Sequence, residues 1–209
     1  MESLPEEIRE LFKSRWQEVV RLHVRWIMLR QLFDGSSENA RILKHTGSFF
    51  FVTVRATFFD SIVLAIARLT DRSRTGGREN ASLAMLSERV RELRNDPLAE
   101  SLDKILSEIE TLAQPLRGLR NRVLAHSDLA TALKNEPDPG IAATTLDQIL
   151  EKIRRFMNLI EGHYSKSKSH TFYDKPALSN DARTLLHYLK DALAQEDAER
   201  VRNGMKPLE

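Results

Sequence analysis

A chain of 209 residues, 41% hydrophobic and 30% charged, can bury a core; it is too apolar for disorder and too charged for a set of membrane spans. The absence of cysteine excludes disulfides, a thiol nucleophile and thiolate metal sites, and suits a reducing cytoplasm. With a formal charge of only +2, attraction for a polyanion must come from local clusters. Arginine supplies them, at Arg68, Arg72, Arg74 and Arg78 and again at Arg117, Arg120 and Arg122; the planar guanidinium fork suits phosphate, although charge clusters are more often solvated helix faces.

In chain order, almost everything reads as helix. The acidic N-terminus MESLPEEIRE lacks the basic and apolar regions of a signal peptide. Its Ser3-Leu4-Pro5-Glu6 has the pattern of a helix start. Ile8, Leu11, Phe12, Val19, Leu22, Trp26, Leu29 and Phe33 then recur at threes and fours, the spacing of one buried helix face, until Gly35 stops the run. A second helix is expected from about Asn39 to Thr70. Its Phe49, Phe50, Phe51, Phe58, Phe59, Ile62, Val63 and Ile66 are apolar nearly all round, so it reads as the central helix of a bundle, its aromatics in the core. Arg55, Asp60 and Arg68 interrupt it, which argues against a membrane span.

Asp71 to Asn80, with Thr75-Gly76-Gly77, reads as an exposed loop without the lysine and hydroxyl signature of a phosphate-binding loop. Short helices follow from Ser82 to Arg94 and from Pro97 to about Ala113, and Pro115 marks a kink or a fresh start. Asn135 to Gly140 reads as a loop, Thr144 or Thr145 begins a helix to about Tyr164, and Ser165 to Pro176 reads as a basic connector. Ser179-Asn180-Asp181 can cap a last helix through Val201. No stretch alternates convincingly enough to be a strand. The reading is all-α, with a helical domain over 1–165 and a connector and C-terminal helix over 166–209, packed on the same domain or on a dimer partner.

The segment from Arg120 to His126 carries the chemistry. On an ideal helix these two residues lie about 120° apart and about 9 Å along the axis, flanking Val123 by about 60° on either side. Leu116 and Leu119 fall close to Val123, so arginine and histidine flank an apolar stripe and face another helix or a partner chain. Asn121 and Asp128 fall on the back of the same wheel. Imidazole titrates near neutrality and can take a proton from a ribose 2′-hydroxyl or return one to the leaving oxygen. A guanidinium can stabilise the added charge on five-coordinate phosphorus. Neither role needs a metal. The plainer alternative is a boundary histidine and an arginine held in a salt bridge.

Arg120-Asn121 followed by His126, within Leu119-Arg120-Asn121-Arg122-Val123-Leu124-Ala125-His126-Ser127-Asp128, resembles the Arg-x(4–6)-His motif of the HEPN superfamily, in its abortive-infection AbiU-like branch. Phe58 to Ser61, Leu64 to Asp71 with its Ala-Arg-Leu-Thr-Asp ending, and Ser82 to Leu86 resemble the same branch. The similarity spans roughly residues 5 to 165. It implies an up-and-down helical bundle that pairs two motif copies across a two-fold axis, and in many members a metal-independent RNA endonuclease of phage defence or a toxin–antitoxin system. Carried over, Arg120 and His126 are the catalytic pair and Asn121 orients the phosphate. Other members bind nucleotide, RNA or protein without cutting.

Around this pair, Arg122 can attract RNA and depress the histidine pKa, and Asp128 is a further supporting candidate. Asp60, in an apolar run, needs a partner and is read as an ion-paired residue or as one supporting the site. Arg68 and Asp71 share that ambiguity, with the further role of fixing the helix end. His23, His45, His163, His170 and His187 form no i, i+4 pair, so neither metal nor other cofactor is expected. The expected partners are RNA, a second copy of the chain and a protein antitoxin or regulator, in the cytoplasm and without a membrane.

Overall fold

A computed structural model describes residues 3–33, 35–120, 141–165 and 181–208. These hold seven helices and one short hairpin, so the all-α class stands. The loop expected at Asn135 to Gly140, nearly all of the connector and His170 lie outside the described residues.

Helix α1, Glu6–Leu32, opens with two acidic residues in its first turn, the end at which negative charge is favourable. The Pro5 carbonyl accepts from the Ile8 and Arg9 amides, and Arg9 folds its guanidinium back onto the Leu4 carbonyl at 2.7 Å. Helix α2, Ser37–Leu69, is interrupted by a kink at Gly47. Helix α3, Leu83–Glu92, begins at Ser82, whose hydroxyl accepts from the Met85 amide. Helix α4, Asp96–Leu112, and helix α5, Gln114–Leu119, each carry a proline in the first turn, where its missing N–H costs nothing. Helix α6 is Ala143–Tyr164, and α7, Ala182–Arg202, is capped by Asp181 through the Arg183 and Thr184 amides.

Between α2 and α3 lies a hairpin where a loop without strands was expected. Strands β1, Arg74–Thr75, and β2, Arg78–Glu79, pair antiparallel. Gly76 and Gly77 take φ of +56° and +79°, the two consecutive left-handed residues of the tight turn favoured in hairpins. Strands of two residues offer no alternation to read.

The chain forms two compact units, Met1–His23 with Val63–Asp174, and Val24–Ile62 with Lys175–Glu209. The core of the first includes Phe12 and Leu22 of α1, Val63, Ile66 and Leu69 of α2, and Phe156 of α6, while α4 packs against both α3 and α6. The second closes Leu32, Ile42, Leu43 and Phe51 over Ala182, Leu186 and Leu193. The central-helix expectation for α2 therefore holds for its C-terminal part and for Phe51, and fails at Phe49 and Phe50. Phe49 is 90% exposed, Phe50 63% and Val52 68%. By length and composition α2 would be able to cross a membrane, and only 28% of its most apolar window is buried.

Candidate functional site

Helix α5 is short and starts directly behind α4, because Ala113 ends one helix and Pro115 sits in the first turn of the next. Its buried anchor is Leu116, 1% exposed, and Leu119 is half-buried. The apolar stripe expected there is thus partly engaged with the protein's own core. Arg117 and Arg120 are three residues apart and so lie on neighbouring sides of one helix surface.

Both arginines reach the C-terminal end of α2. The Arg117 guanidinium donates to the Thr70 carbonyl at 2.5 Å and lies 3.4 Å from the Glu110 carboxylate. A cation is well placed there, because a helix ends in unsatisfied carbonyls and partial negative charge. Thr70 is fully buried, and its hydroxyl turns back onto the Ile66 carbonyl at 2.9 Å. One residue on, Asp71 faces Arg120, with Nη1 and Oδ1 3.4 Å apart and the side chains 40% and 33% exposed respectively. Arg120 itself keeps helical backbone angles, φ −53° and ψ −49°.

Each residue of Ala67-Arg68-Leu69-Thr70-Asp71 has its own place. Ala67 and Leu69 are buried. Arg68 pairs with Glu18 of α1 at 2.5 Å, so it holds two helices together and is not brought to Arg120 by any described contact. Thr70 and Asp71 receive the two arginines of α5. Asp60 makes no ion pair or hydrogen bond among the described residues, contrary to the ion pair expected for it. Asn121, Arg122, His126 and Asp128 lie outside the described residues.

The first arginine cluster separates into different environments. Arg74 is shared between Glu79 and Glu88, on a hairpin braced by Asn80, whose amide donates to the Arg72 carbonyl and to the Thr75 hydroxyl at 2.8 Å each. Arg72 and Arg78 are exposed. The role of Arg117 was missed in the sequence, where it counted only as one more member of a cluster; its signal was the three-residue spacing to Arg120. No group of histidine and carboxylate side chains able to hold a metal occurs among the described residues. A separate cavity of about 530 Å³ is lined by Leu98, Arg154, Arg155, Asn158 and His163 among others. His163 also meets the Asn95 side-chain amide at 2.5 Å; Arg120 does not line this cavity.

Asp71 pairs with Arg120 across partly exposed side chains, and a pair of that kind is weak in water. A protein-family model described as AbiU2, from the HEPN group, matches residues 5–195. It carries the likeness beyond residue 165, where the resemblance read from the motifs ends, and well into α7. No curated protein and no solved structure matches the chain.

Proposed function

The chain belongs to the AbiU2 family of HEPN proteins, whose family-level role is in abortive infection, and on that premise we propose that it is a metal-independent RNA endonuclease of phage defence or of a toxin–antitoxin system. In this reading it works in the cytoplasm as a homodimer, with composite sites that take RNA and a protein antitoxin or regulator that restrains them. His126 removes the proton of a ribose 2′-hydroxyl, the freed oxygen attacks the adjacent phosphorus, and the 5′-oxygen departs with the proton that the imidazolium returns. Arg120 stabilises the extra negative charge of the five-coordinate state. Asn121 orients the phosphate, while Arg122 and Asp128 support the pair.

The observation that carries this proposal is the meeting of two stretches on which the resemblance to the family rests. The end of Ala-Arg-Leu-Thr-Asp holds the start of the Arg-Asn-x-x-x-x-His segment, through Thr70 to Arg117 and Asp71 to Arg120. That contact orients Arg120 from outside its own helix, as a working residue requires. The same carboxylate supports a second reading, a non-catalytic module that binds nucleotide, RNA or a protein partner, in which Arg120, paired with Asp71, is a structural residue.

The deciding experiment measures RNA cleavage in the presence of a metal chelator by the wild type, His126→Ala and Arg120→Ala. Cleavage by the wild type alone supports the nuclease. Equal cleavage by all three removes it, and RNA binding without cleavage selects the second reading.

A further inference from the structure

The part of α2 after the Gly47 kink has two apolar sides, only one of which is used. Phe51 is 6% exposed and packs, with Val54, into the core of its unit. On the opposite side Phe49, Val52, Thr53 and Ala56 are all exposed. With about 100° per residue, these four fall within roughly 50° of a common line. That is the i, i+3, i+4, i+7 seam by which one helix packs on another, here turned to solvent.

We propose that this seam is a contact between two copies of the chain, related by a two-fold axis between Val52 and Thr53 with the helices antiparallel. Three features select a second copy. First, the seam is complementary to itself. The antiparallel register sets Phe49 against Ala56 of the second copy, so the largest side chain of the seam meets the smallest, while Val52 and Thr53 flank the axis beside their own images. A parallel pairing would instead stack Phe49 on Phe49 and leave a gap between the two Ala56 side chains. Second, between Gly47 and Phe59 the sole charged residue is Arg55, which lies over the Phe33 ring of its own chain at 5.9 Å; the seam therefore brings no charge against its own image. Third, Phe49 and Val52 at these exposures present on the order of 300 Å². Two copies remove roughly 600 Å² before the exposed Thr53 and Ala56 are counted, the scale of a small interface between copies.

The contact uses neither Arg120 nor His126, so it stands apart from the nuclease reading and from the pairing of motif copies proposed above. Its test is the mass of the full chain in solution, by light scattering, for the wild type and Phe49→Glu. Phe49→Glu should halve the mass with the helical circular dichroism unchanged, since the side chain touches little of its own fold. A second arm uses the lack of native cysteine. Thr53→Cys should form an intermolecular disulfide on oxidation, because the two Thr53 positions lie about 1.5 Å apart along the axis. Phe49→Cys should not, because its two copies lie about 10 Å apart along that axis. Equal mass for wild type and Phe49→Glu overturns the proposal. So does a Thr53→Cys protein that stays uncoupled, a disulfide at Phe49→Cys instead, or a wild type at monomer mass that floats with phosphatidylcholine–phosphatidylglycerol vesicles. Loss of RNA cleavage in every sample would leave these outcomes unaffected.

Discussion

Arg117 and Arg120 reach neighbouring points of the same helix end, yet their contacts differ in energetic weight. Arg117 satisfies a carbonyl of the fully buried Thr70, and leaving such a group without a partner costs about 1–3 kcal/mol. Arg120 pairs with Asp71 across partly exposed side chains, a class of pair worth about 0–1 kcal/mol. Arg117→Ala should therefore lower the urea stability by about 1–3 kcal/mol, and Asp71→Ala by less than about 1 kcal/mol. Equal losses in the two unfolding curves would contradict this division. His23 supplies a pH-dependent counterpart. Burial holds its imidazole below the ordinary histidine range, against the opposing pull of its hydrogen bond to the Val19 carbonyl; Arg154 lowers it further. Below about pH 6.5 the unfolded chain takes up a proton that the folded chain refuses. Stability attributable to this group is thus present at neutral pH and falls on acidification, by up to about 1.4 kcal/mol per pH unit until the lower folded value is passed. His23→Gln should flatten the profile between about pH 7 and about pH 5, checked by urea midpoints across that range. Neither arginine's contact was legible in the sequence, since Arg120 and Asp71 stand 49 residues apart and nothing local announces which group an arginine will meet.

At the scale of elements, helix ends show where local sequence was sufficient. Ser82 and Asp181 act as caps, and Pro97 and Pro115 sit in first turns, because capping depends on residues within one turn of each other. The end of α3 departs from preference. Arg94, exposed, adopts φ +57°, a left-handed position that glycine fills without a Cβ penalty. Arg94→Gly should raise stability by about 0.5–1 kcal/mol, the steric relief being partly offset by the greater freedom of glycine in the unfolded chain. Differential scanning calorimetry would show it as a higher Tm, and a lower Tm would mean that the arginine side chain contributes more than its backbone costs. α2 marks the limit of element-level reading. A helix apolar on every side has the same pattern whether it lies inside one chain or between two. Phe51 and Ile66 went to the core while Phe49 stayed outside, and only tertiary packing separates them.

For the whole molecule, the all-α class and the family were legible in the amino-acid sequence alone, because helical periodicity and the two characteristic stretches are local signals. How those stretches meet was not, since it depends on α5 folding back onto the end of α2. That meeting also bears on how two copies would share one site. If each composite site takes Arg120 from one copy and His126 from the other, the two inactive variants should restore one another when mixed. Random exchange makes about half of the dimers mixed, and in each mixed dimer one of the two sites regains both residues while the other loses both, so about a quarter of wild-type cleavage should return. If Arg120 and His126 act from the same copy, every site in the mixture lacks one of them and no activity returns. Cleavage by Arg120→Ala, by His126→Ala and by their mixture after subunit exchange separates these cases, and the seam variant Phe49→Glu added to the set reports whether exchange at the α2 contact affects the result.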